Sequence, residues 1–363
     1  MIPLSRPDIS VLEMAYVAEA LQSTFISSTG PFVDRFEADW ARACATRHAV
    51  TVTNGTAALE VTMRALGVRP GDEVVLPAFT FAAVAGAVVS AGGTPVFADV
   101  DPDTWCVDPD SVAAALSPRT VGVLAVHTYG HPAPMPALLS LARRHGLWVV
   151  EDGAEAHLAR LGGRPVGGLA DAAAFSFFGN KIIAAGEGGA VTTSDPALAN
   201  AVRTLANQGV PADAPDRYGP VRAGTNLRLT NVACALLCAQ LERADVLVQR
   251  RRAVEAAYRE RLPLRWQVAA PGAEPVPWLV TGVVDERDDV VARLHGAGIQ
   301  ARRSFPVICD LEPFRVDADV PVARGLAARG LSLPTFPELG DADLERVVDA
   351  VAAACQPMAA SVR

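Results

Sequence analysis

Lysine is almost missing from this chain. Of its 32 lysine and arginine residues, Lys181 is the only lysine. A guanidinium stays protonated and cannot act as an amine nucleophile, whereas a lysine amine can be desolvated, deprotonated and turned on a carbonyl. Codon bias toward arginine with one chance survivor would give the same count, so the number alone leaves both readings open. An excess of positive charge is lacking too. The net charge is −8, which argues against a nucleic-acid binder. The one basic triple, Arg250-Arg251-Arg252, lies in a charged helical stretch and reads as a solvated helix face. No apolar run follows an early basic segment and none approaches ~18 uncharged residues, so neither a signal peptide nor a membrane span is expected. Cysteines are few and scattered. Cys44, Cys106, Cys234, Cys238, Cys309 and Cys355 form no Cys-x-x-Cys pair, and no histidine lies near Cys234 and Cys238 to complete a metal set. They read as buried thiols of a cytoplasmic protein, with no metal expected. No Gly-x-Gly-x-x-Gly follows a strand, which disfavours a nicotinamide oxidoreductase.

What is present is 50% hydrophobic and weighted toward alanine, valine and glycine, the composition of an α/β protein with closely packed helices and strands. The length allows roughly two domains. Helical patterns cover about 10–23 and 31–44, and the second puts Phe32, Phe36 and Trp40 on one face. Strand patterns then recur at 48–53, 72–77, 94–99, 121–127, 147–152, 172–177 and 189–193. Most are separated by helices, which predicts a largely parallel seven-stranded sheet with helices on both faces. The last two are joined by the Lys181 segment, too short for a crossover helix, so one strand is expected to run antiparallel. A single long helix is expected from Asn231 to about Arg261. Past a Pro/Gly-rich boundary at 269–275 come strand-like runs at 278–284 and 299–303 and helices at 288–297 and 341–354. The expected division is a large domain over 1–245 and a smaller C-terminal α+β domain over 246–363.

Open parallel sheets bind ligands beyond the carboxyl ends of their strands. Asp152, the Gly55-Thr56 turn, Ser176 and Lys181 all fall there. The chemistry that joins them is that of pyridoxal phosphate. A lysine that binds the cofactor as a Schiff base needs a carboxylate on the pyridine nitrogen, to keep the ring an electron sink. Asp152 fits that need, although a strand-end aspartate is common. The phosphate wants helix N-terminal N–H groups, small residues and hydroxyls; Asn54-Gly-Thr-Ala-Ala58 and Ser176 supply them. Phe79 or Phe81 could cover the ring face.

The segments Asn54-Gly-Thr-Ala-Ala-Leu59, Pro77-Ala-Phe-Thr-Phe81, Glu151-Asp-Gly-Ala-Glu-Ala156, Phe175-Ser-Phe-Phe-Gly-Asn-Lys181 and Gly186-Glu-Gly-Gly189 occur in that order. Together they resemble the successive signatures of the DegT/StrS-type sugar aminotransferases, over roughly residues 1–260. His127-Thr-Tyr-Gly-His-Pro132, Asn207-Gln-Gly209 and Ser332-Leu-Pro-Thr-Phe-Pro337 are most similar to the GDP-perosamine synthase branch. The resemblance implies a fold type I pyridoxal-phosphate aminotransferase. It gives Lys181 the Schiff base and a later proton shuttle, and Asp152 the pyridine nitrogen. Glu155 would approach the cofactor's phenolic oxygen and Phe81 would stack on the ring. Gly55, Thr56 and Ser176 would hold the phosphate, and Asn226 would reach the phosphate of a neighbouring subunit, so a homodimer with shared active sites is implied. The expected reaction is ping-pong: L-glutamate donates the amino group and a nucleotide-linked 4-keto-6-deoxyhexose accepts it. Relatives that are dehydratases carry histidine at the lysine position; this chain keeps lysine.

The substrate half departs from that pattern. Arg302-Arg-Ser-Phe-Pro-Val-Ile-Cys309 stands where the branch has Arg-Pro-x-Phe and then Pro-x-His. Pro275-Val-Pro-Trp278 replaces a His-Tyr-type approach, and Asn226-Leu-Arg-Leu229 replaces Asn-Tyr-Arg-Met. The nucleotide is therefore left open. Arg222, Arg302 and Arg303 are candidates for a diphosphate, against the ordinary reading of surface arginines. Candidate substrate contacts are Ser28, Tyr129, His131 and Arg302. His127 and His157 lie near the predicted rim, and His157 reads as structural. Two alternatives stay beside the leading one. A 3-keto sugar, a cyclitol or another non-nucleotide ketone could be the acceptor. A non-catalytic regulator on the same fold would want an appended DNA-binding segment, and none is expected before the first motif.

Overall fold

The computed structural model describes residues 1–216 and 218–356. Five strands open the main sheet: β1 (His48–Val52), β2 (Glu73–Pro77), β3 (Thr94–Ala98), β4 (Thr120–Val126) and β5 (Trp148–Asp152). A small hairpin of β6 (Arg160–Leu161) and β7 (Arg164–Pro165) stands outside it, and β8 (Ala172–Ser176) and β9 (Gly189–Thr193) complete it. The order across the sheet is β1-β9-β8-β5-β4-β2-β3. Neighbours are parallel except at β9, which is antiparallel to both β1 and β8. Only residues 177–188 join β8 to β9, and a parallel return needs a longer crossover. The expected α/β class and the one reversed strand are both present.

Two helices precede the sheet, α1 (Val11–Gln22) and α2 (Pro31–Ala43). Four connect its strands: α3 (Gly55–Ala65), α4 (Ala83–Ser90), α5 (Pro109–Ala115) and α6 (Met135–His145). A fifth, α7 (Pro196–Ala206), follows it. Ser10 and Glu13 close a capping box that starts α1. β2 and β9 are buried at every position, as expected of strands covered on both faces. Phe32, Phe36 and Trp40 are buried along α2. Trp40 meets Phe175 and Phe177 edge-on, at centroid distances of 5.0 and 5.2 Å, each such pair contributing about 0.5–1.5 kcal/mol beyond its buried area. That contact fixes the end of β8, where Ser176 lies.

The single helix expected over 231–261 is two, α8 (Asn231–Glu242) and α9 (Ala244–Arg261), separated by Arg243. Side-chain docking outweighs helix continuity there. Arg243 donates to Asp8 Oδ1 and to Glu13 Oε1, both at 2.6 Å, and Gln240 donates to the same Glu13 oxygen at 2.7 Å. The basic triple also needs correction. Arg250 and Arg252 are exposed, but Arg251 is 1% exposed. It falls in register with Ala244, Leu247, Val248, Val254 and Tyr258 on the buried stripe of α9.

Beyond α9 lie β10 (Arg265–Trp266), β11 (Ala273–Glu274), β12 (Val280–Val283), β13 (Arg302–Arg303) and β14 (Gly330–Leu333), with α10 (Arg287–Gly296), α11 (Pro321–Arg329) and α12 (Asp341–Ala354). An antiparallel sheet forms in the order β10-β12-β14-β13, while β11 pairs with β6. The strand expected at 299–303 shrinks to Arg302–Arg303, and β14 and α11 are additions. A second hydrophobic core fills this unit and includes Ile2 from the far end of the chain. Ile2 N–H donates to Gly298 O at 2.8 Å, and Gln300 N–H donates to Ile2 O at 2.9 Å. In α9, Ala244 and Val248 belong to the large core, whereas Val254 and Tyr258 belong to the second. We propose that the two units meet inside α9, close to the division at 245/246; the end of the expected small domain, 357–363, lies outside the described residues. Among the described residues no helix is long and apolar enough to cross a membrane, and no group of three or more His, Cys, Asp or Glu could hold a metal.

Candidate active site

A cavity of about 940 Å³ opens beyond the carboxyl ends of β1, β5 and β8. Each strand delivers one part of it. After β1 the chain turns straight into α3. Asn54 caps the helix by accepting the Ala57 N–H at 2.8 Å, and the N–H groups of Gly55 and Thr56 belong to the first turn, which has no intrahelical acceptors. A Cβ on Gly55 would sit 2.6 Å from Ser176 Cβ, so glycine is what lets the helix start against the end of β8. The Ser176 hydroxyl is thereby brought to the helix N-terminus.

Asp152 ends β5 and is 6% exposed. Its Oδ1 accepts the Ala154 N–H at 3.0 Å; among the described residues Oδ2 accepts no hydrogen bond. Burial pushes the carboxyl upward, and the Ala154 N–H and the Lys181 charge pull against that. Glu155 is also buried. Its Oε2 accepts the Tyr129 N–H at 2.7 Å, and burial raises its carboxyl to about 7 despite the nearby Lys181. The Lys181 amine lies 3.9 Å from the centroid of the Trp278 ring. Burial lowers its pKa, Glu155 and Asp152 oppose that, and Arg302 adds to it. Desolvation is the leading cause for all three groups, the condition under which an amine and a carboxyl can exchange protons near neutral pH.

Gly55, Thr56, Phe81, Asp152, Glu155, Ser176, Lys181 and Arg302 thus share one cavity. Of the two phenylalanines offered for the ring, Phe79 is 1% exposed and tucked behind, while Phe81 is 61% exposed and lines the cavity. Of the other candidates only Arg303 lines it. Ser28 accepts from Arg228 Nε at 3.1 Å. Asn226 is exposed and bridges to Asn207. Tyr129 is buried in a left-handed turn (φ 54°), with its hydroxyl accepting the Phe305 N–H at 3.1 Å. Gly130 follows at φ +97°, where a Cβ would collide with the Val276 carbonyl. His131 donates from Nδ1 to Pro132 O at 2.7 Å and accepts the Ala270 N–H on Nε2 at 2.9 Å. Tyr129 and His131 border a separate hollow of about 670 Å³. Arg303 reaches the main cavity but pairs with Asp288 at 2.9 Å, and Arg222 is exposed.

His127 is fully buried, not on the rim. Its Nδ1 accepts the Ala133 N–H at 2.8 Å, which leaves Nε2–H to donate to Glu151 Oε2 at 3.0 Å. The same carboxylate accepts the N–H groups of Gly167, Leu169 and Ala170 at 2.9, 2.8 and 3.1 Å. Glu151, next to Asp152 on β5, therefore ties the 167–170 segment to that strand end. His157 is buried against Trp40, Phe175 and Phe177, and burial drops it to about 3. Sequence reading missed Glu151, Arg251 and Trp278 as parts of this site. The register of Arg251 with the apolar residues of α9 was the one available signal for it; Trp278 showed only as a departure from a pattern.

Pyridoxal phosphate fits what is here. The free Asp152 Oδ2 suits a pyridinium nitrogen, and the α3 N-terminus with Ser176 suits a phosphate. The buried Asn180 Oδ1, also on the cavity wall, has no hydrogen-bond partner among the described residues. An amine, two desolvated carboxyls and an anion-binding helix end on an α/β sheet are the equipment of a pyridoxal-phosphate transaminase.

Comparison with known proteins narrows that class. The model of the DegT/DnrJ/EryC1/StrS aminotransferase family matches residues 7–352. A GDP-perosamine synthase of Caulobacter vibrioides is 39% identical, over 96% of this chain and 97% of its own. A dTDP-3-amino-3,4,6-trideoxy-alpha-D-glucose transaminase of Streptomyces venezuelae is 40% identical, over 89% and 86%. Among solved structures, S. venezuelae DesV in complex with a ketimine intermediate superposes with a TM-score of 0.90 at 37% identity, covering 97% of this chain and 99% of that one. The chain belongs to the DegT/DnrJ/EryC1/StrS family and is a pyridoxal-phosphate-dependent sugar aminotransferase.

Proposed function

We propose that this aminotransferase moves an amino group from L-glutamate to C4 of a nucleotide-linked 4-keto-6-deoxyhexose. The observation that carries the choice of acceptor is the full-length likeness to the GDP-perosamine synthase of C. vibrioides. The S. venezuelae relative, named for a 3-amino sugar, supports a 3-keto sugar as the second reading.

Bound in the cavity, pyridoxal phosphate supplies an electron sink for the carbon that bears the amine. The chain supplies the rest. Lys181 would hold the cofactor through Nζ and, when free, would carry a proton on that atom to and from the substrate carbon. Asp152 Oδ2 would keep the ring nitrogen protonated, Glu155 would serve the phenolic oxygen, and Phe81 would cover the ring. Gly55, Thr56 and Ser176 would bind the phosphate. Arg302, on the cavity wall, meets the anionic end of donor or acceptor, and Tyr129 and His131 act from behind by shaping the turn at 127–133. Ser28 and Asn226, outside the cavity of their own chain, serve the site of a second copy. The exposed apolar side chains Phe25, Ile26, Phe81 and Phe178 are the surface such a homodimer would cover. Six unpaired cysteines are consistent with a reducing cytoplasm.

The test is a half-reaction followed by a screen. Adding L-glutamate alone to the cofactor-loaded enzyme should shift the visible absorption band and release one equivalent of 2-oxoglutarate per site. Lys181→Ala should do neither. The glutamate-treated enzyme is then offered GDP- and dTDP-linked 4-keto and 3-keto sugars. Return of the band with a GDP-linked 4-keto sugar supports the first reading. Return only with a 3-keto sugar replaces it with the second.

A further inference from the structure

Trp278 touches both residues of the Asn180-Lys181 pair. Its indole Nε1–H donates to Asn180 O at 2.9 Å, and the Lys181 Nζ stands 3.9 Å from its ring centroid. No ion pair between Lys181 and a carboxylate forms among the described residues, so the ring is the closest partner that favours its positive charge. Trp278 is itself held hard. It is 3% exposed and lies nearly parallel to Phe305 and Tyr129, at 15° and 14° with centroids 6.1 Å away. Its carbonyl accepts from Arg251 Nη1 at 2.8 Å. The same buried guanidinium donates to Thr335 O at 3.1 Å and to Lys181 O at 3.4 Å. One arginine and one indole thus tie the lysine segment of the large sheet to the strands of the small unit.

We propose that Trp278 is a positioning residue for the Lys181 amine: its N–H fixes the main chain at Asn180, and its ring face receives the Nζ ammonium whenever that amine is not joined to the cofactor. The inference rests on the reading of Lys181 as the cofactor-holding residue. A cation over an aromatic face within ~6 Å is stabilised by the ring's quadrupole. The ring therefore favours the protonated amine and gives it one resting place. The other titratable groups around it are Glu155, Asp152, Arg302 and Arg251, with His157 held neutral by its burial.

The single lysine makes this measurable without turnover. Apoenzyme is acetylated competitively across a pH series, and the pKa of Lys181 is read from its peptide by mass spectrometry. Trp278→Leu removes ring and N–H together, whereas Trp278→Phe keeps a ring and loses only the N–H. The expected result is a fall of about half to one unit in Trp278→Leu, with Trp278→Phe restoring at least half of it. The pH profile of the glutamate half-reaction should move in parallel. Should Trp278→Leu fail to fold, fluorinated tryptophan incorporated at all five tryptophans weakens the ring quadrupole at constant shape, and the Lys181 pKa should fall stepwise with fluorine count. A pKa that is unchanged, that rises, or that falls equally in both substitutions overturns the proposal. Borohydride treatment of loaded enzyme reports separately: if no cofactor mass is fixed on Lys181, the functional reading fails, whatever the titration shows.

Discussion

Glu151→Gln is a nearly isosteric change that should be costly. The carboxylate accepts two donors on each oxygen: His127 Nε2–H and Gly167 N–H on one, Leu169 and Ala170 N–H on the other. A glutamine must present its NH₂ group to one of those pairs, whichever way the amide turns. His127 cannot help by moving its proton, because its Nδ1 is already accepting from Ala133. Two buried donors therefore lose their acceptor. At about 1–3 kcal/mol for each, the loss is about 4 kcal/mol, close to what breaking a buried charged partner costs. The 167–170 segment and its tie to the end of β5, beside Asp152, are what loosen. Amide hydrogen exchange suits the measurement, since unfolding of a chain with two cores need not be two-state. Protection at Gly167, Leu169 and Ala170 should drop by two orders of magnitude or more, as ~1.4 kcal/mol is a factor of ten, and cofactor should be retained less well. Protection within tenfold of wild type at all three amides would refute the reasoning.

Three further outcomes are expected. Gly55→Ala forces a methyl to 2.6 Å from Ser176 Cβ, so the α3 terminus must withdraw; cofactor affinity should fall tenfold or more by equilibrium dialysis, and an unchanged affinity would show that the terminus does not hold the phosphate. Glu155, with its native carboxyl at about 7, binds a proton in the folded apoenzyme that it loses on unfolding. Stability should therefore decline as pH rises from 4.5 through 7, by up to about 3 kcal/mol, and Glu155→Gln should flatten the profile of denaturation midpoints; parallel profiles would count against it. Glu13 behaves in the opposite sense. Burial works against its charge, but Ser10 and Arg243 hold it down to about 2, so its contribution of about 3 kcal/mol is present above pH 4.5 and lost as pH falls through 2. Glu13→Gln should remove that acid-side slope, which thermal melts between pH 2 and 5 would show.

The main sheet was readable because its strands are continuous apolar runs with helical spacing between them, and both signals are local. That Lys181, Asp152 and Gly55 would line one cavity was readable because each sits at or just after the end of such a run, where open sheets place ligands. What escaped was set by distant partners. Arg243 breaks a helix because Asp8 and Glu13 await it more than two hundred residues away. Arg251 looks like surface charge in a triple, and only the three carbonyls it serves explain its burial. The strands of the small unit run to two or four residues, too short for alternation to show.

The parallel seam of Ile2 with Gly298 and Gln300 sets an order of events. Leu4 and its partner Gln300 lie 296 positions apart, which at ribosomal speed is on the order of tens of seconds of synthesis. The segment around Ile2 must wait that long, unpaired, while the large sheet forms beside it. Trp278 and Phe305, which close the cavity over Lys181, are likewise translated after every strand of that sheet. The nascent large unit can expose the α3 terminus and Asp152 early, but a walled cavity exists only near the end. Capture of the cofactor is then a closing event of biogenesis, coupled to the moment the two distant segments are stitched together.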